Sequence, residues 1–313
     1  MRKAALLYNP DSGSTKQRQQ TLEEALAILV NAGIDARVLP THSPDHANDE
    51  AQRAIDDGCD TIFACGGDGT IHNIVQTLAM SQVALAVLPM GTANCLAHDL
   101  GLPLNPQAAA KAALSGVLRR VALGRIRYLD FDGNICSRYF VIAAGIGVDA
   151  HLFYNLHTGT KRRMGMSAYY VKAWHLWFSY HMTRFVARYQ EFSGAPQSAE
   201  VTELMAIRIR NFGGVLQELA PGASLDRNDM RLVFCRTSSR LAYLAYVTRG
   251  LLRLRWSIPG IDLANGRSVS CEYKTPIAIE QKIYAEADGE LLGTLPAEIT
   301  IVPDALTILA PKR

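Results

Sequence analysis

Thr61-Ile62-Phe63-Ala64-Cys65-Gly66-Gly67-Asp68-Gly69-Thr70-Ile71-His72-Asn73 is the stretch on which the fold turns. A short apolar run of strand type ends in Gly-Gly-Asp-Gly-Thr, and a helical pattern begins near Thr70. Three glycines let the backbone turn sharply and let a ligand come close to it. The amides of such a turn, with the N-terminus of the following helix, favour an anion, most often phosphate. Asp68 would repel phosphate directly, so a divalent cation between the two makes sense of it. A plain βα turn also favours Gly and Asp, but one glycine would serve it. The spacing is neither Gly-x-x-x-x-Gly-Lys-Ser/Thr nor Gly-x-Gly-x-x-Gly, which excludes a P-loop and leaves a dinucleotide fingerprint weak.

Outward from this loop, the first third of the chain alternates between two patterns. Strands are expected at Ala4–Tyr8, Ala36–Leu39 and Val83–Leu88. Leu22, Ala25, Leu26 and Leu29 recur at helical spacing, with Gly33 as a stop signal. Further helices are expected over Asp45–Asp57, closing at Gly58, and over about 106–116. This alternation predicts a doubly wound parallel α/β sheet, which binds ligands at the carboxyl ends of its strands. Those ends carry Asn9-Pro10-Asp11-Ser12-Gly13-Ser14, Pro40-Thr41, the Gly66 loop and Pro89-Met90-Gly91-Thr92-Ala93-Asn94-Cys95. Together they predict one polar, phosphate-compatible crevice.

Near residue 121 the pattern changes. Tyr128–Phe131 and Ser137–Ile142 flank Asp132-Gly133-Asn134, a hairpin signal. Further strands are expected at Met205–Arg210, Arg231–Cys235, Ser268–Tyr273, Ile283–Ala287 and Glu298–Val302. Helical patterns at about 165–182 and 239–254 interrupt this β-rich second domain of sandwich type.

Composition narrows the classes. With 313 residues and 49% hydrophobic side chains, the chain fills about two domains and is not globally disordered. No apolar run approaches the roughly 18–20 residues of a membrane-spanning helix. The apolar stretch after Lys3 ends at Asn9-Pro10-Asp11, too short for a signal peptide, so a cytoplasmic setting is expected. Six cysteines lack any CxxC pair, and eight histidines lack an HExxH pattern. His42 and His46 stand four apart, but Pro44 argues against a metal-holding helix face. Net charge is only +3, yet unevenly spread. Residues 1–126 carry 10 basic and 12 acidic side chains, and residues 161–255 carry 15 and 6. The basic segment suggests an anionic partner.

In order and spacing, Asn9-Pro10-x-Ser12-Gly13, Gly66-Gly67-Asp68-Gly69-Thr70, and Pro89-x-Gly91-Thr92-x-Asn94-x-x-Ala97 with Leu100-Gly101 resemble the diacylglycerol kinase catalytic family. This family of soluble lipid kinases includes bacterial lipid kinases and the sphingosine and ceramide kinases. The likeness continues through Arg163-Met164-Gly165 with Ala168-Tyr169-Tyr170, and Asn211-Phe212-Gly213-Gly214 with Ala220-Pro221-x-Ala223. It closes with Asp288-Gly289-Glu290 and Ile301-Val302-Pro303-x-Ala305-Leu306.

The resemblance implies an α/β nucleotide domain of the NAD kinase/phosphofructokinase type over 1–126, completed by about 300–313. It implies a β-sandwich lipid-binding domain over 127–299 and an active site in the cleft between the two. ATP and Mg²⁺ are the implied cofactors, and a diacylglycerol-like lipid hydroxyl is the implied acceptor, in phospholipid biosynthesis. In that reading Gly66–His72 wraps the ATP phosphates, and Asp68 sits near the catalytic Mg²⁺. Asn9, Ser12, Gly13, Thr41, Gly91, Thr92 and Asn94 line the nucleotide site. Asp288 is the implied general base, with Glu290 a second carboxylate, although Asp-Gly alone reads as hairpin turn chemistry.

One stretch departs from the family pattern. Some bacterial members keep a metal in a run reading Ser-Leu-Asp-Asp-Gly-Leu-Leu. Here the run is Ser224-Leu225-Asp226-Arg227-Asn228-Asp229-Met230. A cation beside a divalent metal is unfavourable, so Asp229 is the remaining candidate ligand and Arg227 a candidate substitute for the metal's charge.

Two segments bear on partners. Ser167–Met182 is rich in Tyr and Trp and follows Lys161-Arg162-Arg163, and Arg240–Trp256 mixes leucines with arginines. Both suit the surface of an anionic membrane, where a lipid kinase would sit peripherally. Helices packed on the sandwich with solvated arginines are the plainer alternative. No nucleic-acid module is present, so no nucleic-acid partner is expected. An exposed edge strand would support a homodimer. Two other functions compete with the lipid kinase: a catalytically impaired nucleotide- and lipid-binding regulator, and an NAD kinase. The long β-rich half and the Pro-x-Gly-Thr-x-Asn motif argue against the second.

Overall fold

The computed structural model describes residues 1–10, 15–148, 150, 182–191, 194–213, 218–252, 254, 256–274 and 282–312. They form two compact units. The first is Met1–Leu123 with Asn211–Val215 and Val302–Arg313, and the second is Gly124–Arg210 with Leu216–Ile301.

The first unit is a parallel sheet with helices. Its strands are β1 (Lys3–Tyr8), β2 (Asp35–Pro40), β3 (Thr61–Gly66) and β4 (Ala84–Pro89), joined by the end of the long β15 (Glu290–Ala310) in the order β15-β4-β3-β1-β2. β3 and β4 are buried at every position. Both faces of a parallel sheet are covered, so its strands read as continuous apolar runs rather than alternating ones. The helices are α1 (Thr15–Asn31), α2 (Pro44–Asp56), α3 (Asp68–Leu78), α4 (Cys95–Leu100) and α5 (Pro106–Leu114). Leu22, Ala25 and Leu29 of α1 lie in the core, as their period requires. Ser43 and Asn105 cap α2 and α5 with side-chain oxygens, each followed by a proline in the first turn. The six-residue α4 was not expected. Its start lies inside the Pro89–Cys95 loop, where too few residues follow to display a period.

The second unit is the β-rich sandwich. Its remaining elements are β5 (Val117–Leu129), β6 (Ile135–Phe140), β7 (Ala143–Gly147), β8 (Phe185–Tyr189), β9 (Gln197–Val201), β10 (Glu203–Ile207), β11 (Met230–Cys235), α6 (Arg240–Leu251), β12 (Ile261–Gly266), β13 (Ser268–Tyr273) and β14 (Tyr284–Ala287). One layer runs β12-β11-β10-β7-β14-β15. In the other, β15 pairs with β13, which pairs with β8 and then β9. β15 therefore belongs to both layers, and it goes on to pair in parallel with β4 through Thr307 and Ile308. The Tyr189 ring of β8 meets Phe234 of β11 with centroids 4.4 Å apart, inside one apolar core that draws on both layers.

The β5–β6 hairpin stands where the sequence placed it, but its turn differs. Leu129 pairs with Ile135, so the loop is Asp130–Asn134. Asp130 Oδ1 accepts the amides of Asp132 and Asn134, and this Asx turn sets the loop length. The expected helix at 165–182 falls, except for Met182, outside the described residues. Among the described residues, no helix is long and apolar enough to cross a membrane.

Candidate active site

In the first unit, the loops after β3 and β4 are built against each other. The Met90 amide donates to the Gly66 carbonyl at 2.9 Å. A Cβ on Gly91 would lie 2.4 Å from the Gly67 Cα, so a side chain at Gly91 would run into the facing backbone, while a Cβ on Gly67 would sit 3.2 Å from the Gly91 Cα. Asp68 spans the same seam. Its carboxylate accepts the amides of Cys95 at 3.1 Å and Leu96 at 3.3 Å, which caps α4. Asn94, in a left-handed conformation, closes its own loop: the Gly91 amide donates to its Oδ1, and its Nδ2 donates to the Gly91 carbonyl, both at 2.9 Å.

Gly67 is the extended residue that opens α3, and the Thr70 and Ile71 amides bond its carbonyl. The first turn of a helix points amides outward, at the positive end of the helix dipole. Gly66 leaves room for the Thr70 hydroxyl, which would lie 2.3 Å from any Cβ placed there. Thr92 is exposed. Ile71 and His72 are buried on the inner face of α3, so their side chains belong to the core rather than to an anion site. Thr41 also turns inward. It is 3% exposed, and its hydroxyl donates to the Tyr8 carbonyl at 3.0 Å. Ser12 and Gly13 lie outside the described residues.

Sequence reasoning missed Arg18. Its guanidinium donates to the Asn9 carbonyl and the Met90 carbonyl, both at 3.1 Å, and so ties the end of β1 to the end of β4. Burial lowers its pKa from the ordinary arginine value, which leaves it a cation. A single arginine in the polar start of α1 carries no pattern that could have revealed this. A second tie explains the Asn211-Phe212-Gly213 motif. The Asn211 amide donates to Asp99 Oδ1 at 2.9 Å, and a Cβ on Gly213 would fall within 2.0 Å of the His98 ring.

In the second unit, Asp288-Gly289 is a two-residue hairpin turn between Ala287 and Glu290, with φ of 51° and 84°. Both φ values are positive, as a type I′ turn requires. The Asp288 side chain also reaches out of the turn. Oδ2 accepts the Val141 amide at 3.0 Å, and Oδ1 accepts those of Ile142 at 2.8 Å and Ala143 at 3.1 Å. Turn and motif are therefore the same feature: the turn aims the carboxylate and the link between β6 and β7 grips it. Beneath it lies the buried Glu286, whose carboxylate accepts the Gly289 amide at 2.8 Å. Glu286 is a second residue the sequence did not single out, because one Glu inside a short strand looks solvent-facing.

The departing 224–230 run contains no metal cage. Asp229, 4% exposed, takes both Nε and a terminal nitrogen of Arg227 on its two oxygens. A guanidinium thus occupies the carboxylate that the sequence offers as a candidate metal ligand. The fully buried Arg208 donates to the carbonyls of Leu225, Arg227 and Asp229. Among the described residues, no three His, Cys, Asp or Glu side chains converge to hold a metal.

Paired glycine loops at the strand ends of a parallel sheet, with a helix N-terminus between them, define a kinase-type nucleotide fold. Residues 3–126 match the family described as Diacylglycerol kinase catalytic domain. It is 27% identical over 316 residues to a diacylglycerol kinase of Bacillus subtilis strain 168, an alignment covering 100% of this chain and 98% of that one. The crystal structure of a diacylglycerol kinase from Bacillus anthracis Sterne shares the fold. Its TM-score is 0.70 at 20% identity, covering 99% of this chain and 96% of that one. An NAD kinase from Archaeoglobus fulgidus, solved in complex with ATP, shares it more distantly. There the TM-score is 0.50 at 12% identity, with 99% and 94% covered. The matched domain supports a kinase that uses a nucleotide.

The residues present fit a nucleotide triphosphate. Gly67, Gly69 and the first turn of α3 offer backbone and dipole to phosphate, and the Gly67–Gly91 contact leaves the seam bare of side chains. For Mg²⁺ the fit is of a particular kind. Asp68 is the carboxylate at the loop, and it is already bonded to two amides. Mg²⁺ commonly keeps its waters and binds through one or two carboxylates and substrate phosphates, so an all-protein cage is not needed.

Proposed function

We propose that this protein transfers the γ-phosphate of ATP, with Mg²⁺, to the hydroxyl of a diacylglycerol-type lipid. The observation that carries the reading is the seam between the two glycine loops, where Gly67 and Gly91 meet and Asp68 bridges to α4. Such a seam presents backbone amides to phosphate, and phosphoryl transfer asks for little more than positioning and charge neutralisation. Thr70 and Thr92 offer hydroxyls to the same anion. Mg²⁺ would lie between Asp68 and the phosphates and neutralise charge that builds up in transfer.

Asp288 is our candidate for the base. Three amides fix its carboxylate in one orientation, and Oδ2, which accepts the Val141 amide, takes the proton of the lipid hydroxyl. The hydroxyl oxygen then bonds to the γ-phosphorus, and ADP departs with the electrons of the broken P–O bond. General base assistance of this kind is worth about 10²–10⁴-fold.

The test is transfer of labelled phosphate from ATP in mixed micelles containing diacylglycerol, monoacylglycerol or a sphingoid base, with NAD as a parallel acceptor. Phosphorylated diacylglycerol is the expected product. Asp288→Asn should lose it by about a hundredfold or more while still binding ATP, and Glu290→Gln should keep most of it. ATP binding without any phosphorylated lipid would overturn the kinase reading, and phosphorylated NAD would replace the acceptor. Undiminished activity in Asp288→Asn would move the base elsewhere.

A further inference from the structure

Arg18 stands where helix formation gives no reason for a cation. α1 opens Thr15-Lys16-Gln17-Arg18 with no acidic residue in its first turn, whereas α2 and α3 carry Asp45 and Asp68 in theirs. A positive side chain at the positive end of a helix dipole is unfavourable by itself. The partners of the guanidinium show what it does instead. One terminal nitrogen donates to the Asn9 carbonyl and the other to the Met90 carbonyl, each at 3.1 Å.

These two carbonyls bracket the glycine loop. β3 lies between β1 and β4 in the sheet. Tyr8 of β1 is level with Cys65 of β3, and Pro89 of β4 is level with Gly66. Asn9 and Met90 are the next residues out on either side, so the guanidinium that joins them crosses the end of β3. Cys65 marks the same place. Its side chain lies in the core cluster with Leu22 and Ala25 of α1. Burial pushes its thiol pKa up, and the nearby Arg18 charge opposes that push. A full positive charge therefore sits at the root of the Gly66–Gly67 turn.

Two jobs meet in this side chain, and they separate by chemistry. The tie needs a fork: a guanidinium offers two nitrogens to two carbonyls, whereas an ammonium is a single point. The charge needs only a cation. Backbone amides offer partial charges to a bound anion, but a unit charge interacts strongly with every phosphate a ligand adds. Arg18 is half-buried, so salt screens it less than it screens an open surface charge. Charge at this point should therefore distinguish nucleotides by how many phosphates they carry.

We propose that Arg18 is the positioning residue that grades the nucleotide site by phosphate number. It holds Asn9 and Met90 on either side of Gly66 and sets a fixed cation behind the turn, so that a nucleoside triphosphate binds more tightly than a diphosphate, and a diphosphate more tightly than a monophosphate. The inference rests on the reading of the glycine loops as a nucleotide site, but not on the identity of the acceptor, and its test does not depend on catalysis.

The test is calorimetric titration of the full chain with ATP, ADP and AMP, in Mg²⁺ and in EDTA, without lipid. Wild type should bind in the order ATP, ADP, AMP. Arg18→Gln should lose about tenfold or more for ATP, less for ADP and at most about twofold for AMP, which narrows the ratio of ATP to AMP affinity. Arg18→Lys should keep most of that ratio while lowering the melting temperature, because the charge remains and one carbonyl loses its donor. An arginine that served only as a tie would lower all three affinities by one factor in both variants. That result would overturn the proposal, as would an unchanged ratio in Arg18→Gln. If Arg18→Gln does not fold, the lysine variant decides: a ratio that survives supports the proposal, and one that collapses with the charge still present overturns it. A wild type that binds no nucleotide would remove the nucleotide site and the role of Arg18 with it. Graded nucleotide binding without phosphorylated lipid would leave that role standing and remove the kinase reading alone.

Discussion

A methyl group on Gly91 would press on the Gly67 Cα, and neither loop can retreat, because Asp68 and Asn94 brace the seam from both sides. Gly91→Ala should cost about 1–3 kcal/mol in urea unfolding and weaken ATP binding measured by calorimetry. The glycines were visible in the sequence as a pattern, but the reason for them was not. It is a contact between two loops far apart in the chain, and a single sequence does not record which turns meet. Arg208 was invisible for a related cause. Its side chain points inward from the end of a strand and serves carbonyls of a distant loop. Arg208→Met would orphan those carbonyls inside the unit, at a cost of roughly 3 kcal/mol. Chemical denaturation measures this, and a loss below about 1 kcal/mol would mean that water reaches the loop.

At the scale of elements, the α/β half was legible because its two periods are clean. The strands are short apolar runs, and the helices end on capping residues or glycines. The β half was legible only where strands are apolar. β7 (Ala143–Gly147) is small and glycine-rich, β9 (Gln197–Val201) is polar, and β12 (Ile261–Gly266) ends in Asn-Gly, so none of the three stands out against turns. Helix α6 was legible as a helix, but not in its rotation. Its inward tyrosines set that rotation, and they can be tested one at a time. Tyr246→Phe keeps the ring beneath Arg249 and removes the hydroxyl that donates to the Leu219 carbonyl. It should lower stability by about 1 kcal/mol in a denaturant titration. Tyr246→Ala should cost several times more by emptying the site.

At the scale of the molecule, β5 and β15 each have residues in both units. The first unit draws Val302–Arg313 from the far end of the sequence, where Thr307 and Ile308 pair with Ala84 and Leu85 of β4. The Met80 amide bonds the Ala305 carbonyl, and Arg120 donates to the Thr307 hydroxyl at 2.8 Å. A fragment of residues 1–126 therefore exposes the side of β4 that β15 covers. By circular dichroism and thermal melting, it should lack a cooperative transition. The same fragment joined by a flexible linker to residues 300–313 should regain one. A cooperative melt in the shorter fragment would show that the returning strand is dispensable.

The shared strand also sets a timetable. While the chain is being made, β1 to β4 leave the ribosome long before Val302, and at about 5–20 residues per second the interval is roughly ten to forty seconds. Through that time the open flank of β4 is a strand edge without its neighbour, able to pair with any other nascent chain. A nucleotide cradle assembled from the earliest residues is thus completed by some of the latest. The interval between them is when this protein should most depend on chaperones.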